Sequence, residues 1–458
     1  MVRQKYLTEH VFVPMGLPTV TYVYRHERDL EGRLAGALKT PGSIVSLSGP
    51  SKSGKTVLLT HVIPKENLIS LSGGAIDVPE RLWERVLNWM EAPSSIARKA
   101  GITKTGEISA EAKIGASFLV KGNLAGASKV GVNSASDETS TQLRAGIDQV
   151  IREIANSDYI IFVDDFHYMK REVQDGLCKQ IKEASEKGVR ICTASVPHRS
   201  DDVVRMNPEL RGRVEAVDLE YWRPDEIAAI GRQGFEALAI DMSEGVIANL
   251  AEHAFGSPQL MQAICLEVCR LLEVKGTSLN LRNIDLTARQ IRHALEMTSR
   301  MTDYSSLLVA LHSGPKQRGQ ERSQFDFFDA SRGDVYRGIL MALQCDPPVL
   351  TLPYDEILAR IRRVCAGSAP TGSSVSNALE QMTLIAEQVQ ASSKVIDWSD
   401  DILDIEDPYF LFYLRYSMHF YKLGTRTGSV EYDPNARYVP QVGMPLDEKA
   451  RNKRLPIT

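Results

Sequence analysis

The residues Gly49-Pro50-Ser51-Lys52-Ser53-Gly54-Lys55-Thr56 follow the pattern G-x-x-x-x-G-K-[ST], and the chemistry of that pattern is the binding of a polyphosphate. Gly49 and Gly54 let the backbone turn back sharply with no side chain in the way. Successive N–H groups of Pro50 to Val57 (the proline excepted) then line a concave anion site, reinforced by the positive end of the helix that follows. Lys55 reaches for the β- and γ-phosphates, and the Thr56 hydroxyl is a ligand for Mg²⁺. The loop stands between the apolar run Ile44 to Ser48 and the helix-compatible Val57 to Val62, the strand-to-helix context that a phosphate-binding loop (P-loop) requires.

A second centre is Tyr159-Ile160-Ile161-Phe162-Val163-Asp164-Asp165, an apolar strand ending in two acids. Asp164 is placed to hold the magnesium hydration shell, and Asp165 to orient and polarise an attacking water. An aspartate is one methylene shorter than a glutamate in that role, so slow turnover is expected. Charge developing on a transferred phosphoryl group needs further donors or cations. Thr193 or Ser195, at the end of the next strand, is a candidate for contact with the γ-phosphate or the water. Arg199, Arg211 and Arg213 are candidates for an arginine finger reaching a neighbouring subunit's nucleotide. No N-K-x-D guanine signature is present, so the expected ligands are ATP and Mg²⁺.

The elements that must hold these residues are legible in outline. Strand signals at 44–48, 69–72, 159–163, 189–194 and 214–219 alternate with helix signals at 79–91, 147–154 and 173–186, which indicates a parallel sheet covered on both faces. A further helix is read over 22–38 after a short extended start, from Leu30, Leu34 and Leu38 at helical spacing. Residues 99–136, rich in Gly, Ala, Ser and Lys, read as an insertion, a hairpin or a surface loop. After Trp222 the pattern is helical: 224–238, 243–254 and 258–272. A polar stretch over 313–324 leads to three helices (334–343, 354–365, 374–389), a short hairpin (395–398 with 402–405) and an aromatic helix (410–421). The expected organisation is a nucleotide-binding core over 1–222, a helical lid over 223–312, a three-helix-and-hairpin unit with closing helix over 325–421, and a polar tail over 422–458.

At 458 residues the chain suggests about two to four domains. An apolar fraction of 43% and a charged fraction of 24% are those of an ordinary globular protein. The net charge of −4 advertises no global attraction to nucleic acid or an anionic membrane. No apolar run approaches the ~20 residues that span a bilayer, and Met1 to Pro14 does not read as a signal peptide. The six cysteines are too few for a disulfide scaffold in a chain this long. Cys265 and Cys269, on one helix face, read as buried reduced thiols, and the expected location is a reducing cytoplasm.

The order of phosphate loop, acid pair, arginine-bearing segment, helical lid and three-helix unit resembles the AAA+ superfamily, and within it the signal-transduction (STAND) and archaeal-type ATPases. Tyr22-Val23-Tyr24-Arg25 is similar to the adenine-side entry segment of that group. Gly256-Ser257-Pro258 is similar to its Gly-x-Pro lid element, whose proline packs near the base and phosphates. Asp407-Pro408-Tyr409-Phe410-Leu411-Phe412-Tyr413-Leu414-Arg415-Tyr416 is similar to the aromatic closing helix of the archaeal-type ATPases. The resemblance covers about residues 20 to 420. It implies an α/β fold with a parallel-sheet P-loop AAA+ core, an α-helical lid and a C-terminal winged helix. It implies nucleotide contacts from Tyr24, Arg25 and Pro258. Gln259 stands where the family's lid carries arginine, which suits a switch better than a force-generating motor.

The winged helix, as read, is a poor DNA reader. Its third helix carries Asn377, Gln381 and Gln388 beside Glu380 and Glu387 and no cation, and its hairpin region is rich in aspartate, which phosphates repel. Arg360, Arg362 and Arg363 form its basic cluster, read as solvated surface charge. The resulting expectation is a Mg²⁺-dependent ATPase switch that forms a homo-oligomeric ring or filament and gates a separate effector or sensor protein, in stress signalling or antiviral defence by family analogy. The alternatives are a DNA-associated loader or transposition-type ATPase, and a nucleotide-binding scaffold without turnover.

Overall fold

The computed structural model describes residues 5–91, 95–98, 140–143, 146–195, 208–316, 321–390, 394–423 and 425–426. The insertion read at 99–136, Arg199, and the tail beyond 426 lie outside the described residues. The chain forms two compact units. One comprises Glu31–Leu47 and Leu59–Val217, the other Met1–Leu30, Ser48–Leu58 and Asp218–Thr458.

The first unit is built on a parallel five-stranded sheet. Its strands are β1 (Ile44–Ser48), β2 (Leu68–Ser72), β5 (Ile160–Asp164), β6 (Arg190–Ser195) and β7 (Val214–Asp218), in the order β2-β5-β6-β1-β7. Every residue of β1 is buried, and β5 is buried up to Asp164. Burial on both faces makes β5 a continuous apolar run, while β1 buries two small hydroxyls, Ser46 and Ser48, among its apolar residues. The parallel register pairs Ser72 with Asp164 and Val163 with Thr193. Helices Glu80–Trp89, Ile147–Ile154 and Arg171–Glu186 pack Leu82, Trp83, Val86, Val150, Ile154, Leu177 and Ile181 into a common apolar core with Ile69, Ile161 and Ile191. Two short strands, β3 (Ser95–Arg98) and β4 (Ser140–Leu143), pair antiparallel at either side of the insertion.

The helix expected from Tyr22 begins only at Leu30. Asp29 has a left-handed backbone (φ 42°), which breaks the helix register ahead of it, so Tyr22, Tyr24 and Arg25 stand on a non-helical arm.

The second unit is predominantly helical. Helices Pro224–Ala237, Glu244–Glu252 and Pro258–Leu271 follow one another. Ser243 and Ser257 cap the second and third through hydrogen bonds from the N–H groups of Val246 and Leu260. The arm before Leu30 is pinned on these helices. Phe12 meets Phe235 edge-on with centroids 5.2 Å apart. Gln262 accepts the N–H of Val13 and donates to Thr21, and Thr8 donates to the Val274 carbonyl. Gly234 is needed there, because a Cβ would come within 2.2 Å of the Phe12 ring.

Two helices not read from the sequence, Ala288–Ser299 and Ser305–Ser313, lead to the last helical group: Val335–Leu343, Tyr354–Val364 and Gly372–Val389. A three-stranded antiparallel sheet accompanies it, with β12 (Thr351–Pro353) and β13 (Ile396–Ser399) on either side of β14 (Ile402–Ile405). Asp400 and Asp401 turn the β13–β14 hairpin with φ of 52° and 59°, the two-residue turn with positive φ that suits the right-handed twist of its strands. The helix Pro408–Tyr416 buries Phe410, Leu411, Phe412 and Leu414, in a core continuous from Phe12 through Ile264 and Leu340 to Phe420.

One member of the basic cluster of this group differs from the expectation, while Arg362 is exposed as expected. Arg360 is fully buried. It donates to the carbonyls of Cys345 and Pro347 and twice to Glu356, so it closes a loop rather than meeting solvent. Arg337 is equally buried, held by Asp329, Ser331 and the Leu423 carbonyl. A guanidinium that satisfies carbonyls and a carboxylate inside the fold is indistinguishable in sequence from one on the surface. All six cysteines are buried and free of disulfides; burial holds Cys265 well above the ordinary thiol range. No described helix is long and apolar enough to cross a membrane.

Candidate functional site

The phosphate loop leaves β1 at Ser48. Two of its residues have left-handed backbones, Lys52 (φ 60°) and Gly54 (φ 96°). They bend the main chain around a concavity between β1 and the helix Lys55–Val62. The Ser53 N–H closes the turn on the Pro50 carbonyl at 3.2 Å, and the first helical hydrogen bond runs from Leu58 N–H to Gly54 at 2.8 Å. The Lys55 ammonium folds over the loop and donates to the carbonyls of Gly49 (2.7 Å) and Pro50 (2.9 Å). Thr56 is exposed, while Ser51 and Val57 are half-buried.

Gly49 is a steric requirement: a Cβ there would meet the Leu219 Cβ at 2.8 Å and the Ser53 hydroxyl at 3.0 Å. The segment after β7 thus forms a wall beneath the loop. Leu219 N–H bonds the Ser48 carbonyl, and the Ser48 hydroxyl bonds Asp218. The Ser53 hydroxyl is buried and has no hydrogen-bond partner among the described residues. A buried hydroxyl without a partner, in a loop that opens a helix and beside a lysine, is polar lining of the kind a triphosphate satisfies. The residues present therefore fit the nucleotide.

Trp222, which the sequence marked only as a boundary, stands against the phosphate loop. Its Nε1–H donates to the Ser53 carbonyl at 2.8 Å. Its ring carries the Arg25 guanidinium 4.6 Å from the centroid. Arg25 is buried and also donates to the Glu220 carbonyl at 3.5 Å. The arm residue named from sequence thus comes to the phosphate loop through an indole. Tyr24 is half exposed, edge-on to Tyr22 and stacked on His26. Gly256 has φ 70°, and a Cβ there would stand 3.3 Å from the Trp222 carbonyl. This close approach brings Ser257 and Pro258, the first turn of the helix Pro258–Leu271, to the same wall.

Within the sheet unit, Asp164 ends β5 and accepts the Asp165 N–H at 2.9 Å. Asp165 adopts a left-handed backbone (φ 53°), so the chain swings out of the strand between the two acids. Such geometry is uncommon for a side-chain-bearing residue, though aspartate tolerates it better than most. Gly73, after β2, packs against this turn: a Cβ would lie 2.5 Å from the Asp165 carbonyl oxygen and 3.2 Å from that of Asp164. His167, next along, is buried.

The remaining candidates separate clearly. Thr193 is buried, with its hydroxyl 3.5 Å from the Val45 carbonyl inside the sheet. Ser195, at the end of β6, has a buried hydroxyl without a hydrogen-bond partner among the described residues. Arg213 is exposed and pairs with Glu186 at 3.1 Å. Arg211 is exposed in the turn after Pro208–Leu210. No group of three or more metal-ligating side chains occurs among the described residues.

No family model matches the chain, and no curated protein matches it. Among solved structures it is similar to Cdc6p from Pyrobaculum aerophilum, at 11% identity and TM-score 0.39, over 90% of this chain and 98% of that one. It is similar to a Walker-type ATPase of Pyrococcus abyssi at 13% identity and TM-score 0.46, over 87% of this chain and 100% of that one. It is similar to the ORC2 protein of Aeropyrum pernix, solved in ADPNP and ADP complexes, at 10% identity and TM-score 0.44, over 89% of this chain and 96% of that one.

Proposed function

We propose that the protein is an AAA+-type, Mg²⁺-dependent ATPase that works as a nucleotide-held switch, assembles with copies of itself and controls a separate partner protein. The observation that carries the nucleotide reading is the phosphate loop, where two left-handed residues, an orphan buried hydroxyl at Ser53 and the inward-folded Lys55 make a main-chain anion cradle. When bound, Mg²⁺–ATP supplies the scissile phosphoanhydride and the divalent charge that screens it. The loop amides and Lys55 bind the phosphates, and Thr56 orients the cation. Asp164 holds the cation's water, and Asp165 orients and takes a proton from the attacking water. Of the two hydroxyls considered on β6, Ser195 is the better γ-phosphate sensor, because Thr193 faces a sheet carbonyl. Tyr24, Arg25, Trp222 and Pro258 shape the base side. Of the arginines, Arg211 suits a contact in trans, since Arg213 already has Glu186.

The last helical group, read as a winged helix, supports a protein partner over DNA. The exposed face of Gly372–Val389 presents Asn377, Glu380, Leu384, Glu387 and Gln388, with a large apolar side chain and no cation. A setting in stress signalling or antiviral defence rests on the family resemblance alone.

Two measurements test this. Light scattering should give a larger particle with Mg²⁺ and a non-hydrolysable ATP analogue than with ADP; a monomer in both refutes the assembly switch. Phosphate release should be lost in Lys55→Ala together with nucleotide binding, and lost in Asp165→Asn with binding retained. Absence of release from the wild type leaves a passive scaffold. Stimulation of release by duplex DNA, with a steep salt dependence, would favour the DNA-associated reading instead.

A further inference from the structure

Lys52 is a variable position of the phosphate-loop pattern, yet its ammonium is engaged far along the chain. It lies 2.9 Å from both carboxylate oxygens of Asp407 and 4.3 Å from the centre of the Tyr409 ring. Asp407 is 8% exposed. Its carboxylate also accepts the Tyr304 hydroxyl at 2.6 Å and the Tyr409 N–H at 2.9 Å. That last bond caps the helix Pro408–Tyr416. One carboxylate therefore caps the closing helix and binds a cation of the phosphate loop. The Tyr409 hydroxyl in turn donates to the Gln259 carbonyl, in the first turn of the lid helix, at 3.4 Å.

Two features make this more than a surface ion pair. The lysine is held with both carboxylate oxygens within reach and its cation over an aromatic face, with its side chain 28% exposed and that of Asp407 11%. Its backbone is left-handed, a conformation a lysine rarely adopts, so the pair bears on the shape of the loop itself. A loop built to bind anions carries, on one of its own residues, an internal anion.

We propose that Asp407 competes with nucleotide phosphate for Lys52, so that occupancy of the phosphate loop and docking of the closing helix draw on the same ammonium. This rests on the nucleotide reading above. Phosphate charge arriving in the loop draws Lys52 away from Asp407, leaves that carboxylate buried without its cation, and loosens the helix start at Asp407 to Phe410. A firmly docked closing helix, by linkage, weakens nucleotide binding by the same factor.

The test uses the full chain as wild type, Asp407→Asn, Lys52→Gln and the double variant. Titration calorimetry measures Mg²⁺–ADP and a non-hydrolysable Mg²⁺–triphosphate analogue. Asp407→Asn keeps an oxygen for the Tyr409 N–H but loses the charge, and is expected to bind the analogue about fivefold tighter or better, within the usual range of coupling. In the Lys52→Gln background the same change should have no effect. In parallel, hydrogen exchange of the amides at 409–416 should accelerate on nucleotide binding in the wild type and stay unchanged in Lys52→Gln, a comparison that stands even where Asp407→Asn fails to fold. Equal affinity of wild type and Asp407→Asn, or a change that persists in the Lys52→Gln background, makes Asp407 a helix cap only and overturns the proposal. A folded wild type that takes up neither nucleotide overturns the nucleotide reading as well, so the two failures are distinguishable.

Discussion

Gly73→Ala tests the acid pair without touching a carboxylate. Gly73 follows β2, and its backbone is not among those with positive φ, so alanine meets no conformational barrier there. The obstacle is contact. The new Cβ would stand 2.5 Å from the Asp165 carbonyl oxygen, 3.0 Å from its carbonyl carbon and 3.2 Å from the Asp164 oxygen, where ordinary contact begins near 3.4 Å. These are backbone atoms at the end of a buried strand and cannot swing aside. The turn bearing Asp165 must move by roughly 0.9 Å, and the overpacking should cost about 1–3 kcal/mol of stability. A misplacement of about 1 Å at a positioning group reduces turnover by about 100-fold. The three atoms nearest that Cβ all belong to the acid turn, so nucleotide affinity should be preserved within about threefold. Phosphate release under saturating Mg²⁺–ATP, calorimetric affinity for ADP and a urea melt would be measured side by side. Turnover equal to wild type, with the stability loss present, would refute the reasoning that the Gly73 contact holds Asp165 in a working position.

Two further outcomes are expected. Trp222→Phe keeps a ring beneath Arg25 but removes the donor to the Ser53 carbonyl. The loss should be about 1 kcal/mol, read as about fivefold weaker nucleotide binding by calorimetry; unchanged affinity would remove Trp222 from the site. Stability should fall on acidification. His253 is pushed down to about 4 by burial and by the Arg415 guanidinium, and His312 to about 4 by burial and by Arg337. Both are neutral in the fold, with Nδ1 of His253 facing the Tyr416 hydroxyl. The unfolded chain takes up these protons first, from about pH 6.5. The stabilisation present above that pH is therefore lost between about 6.5 and 4, on the order of 2–3 kcal/mol for each histidine. Urea midpoints at pH 7, 5.5 and 4.5 should show the slope, and His253→Gln with His312→Gln should flatten it.

The features legible in the sequence are those governed by neighbours along the chain. Gly49 to Thr56 announced a phosphate loop because the conformation is set by two glycines and the strand and helix beside them. The strand Ile160–Asp164 was legible because burial on both faces makes an uninterrupted apolar run, and Ile44–Ser48, with its two serines, because it leads directly into the loop. The helices Pro224–Ala237 and Pro258–Leu271 carried their start signals in proline and serine. Strands of two or three residues, such as β12 or the pair β8 (Ile240–Met242) and β9 (Arg282–Ile284), are too short for a period to appear. The helix before β1 was extended too far, since nothing local marks Asp29 as left-handed.

The chain alone carried the phosphate-loop pattern and marked which residues form the loop, because main-chain turning depends on a handful of adjacent residues. Only the tertiary structure decided which side chains meet: Trp222 on Ser53, Arg25 over the indole, Gly73 under the acid turn, Asp407 on Lys52, and Arg360 withdrawn from the surface. Each of these joins residues distant in sequence, where charge, hydrogen-bonding capacity and close contact are satisfied in space and leave no periodic trace in the order of amino acids.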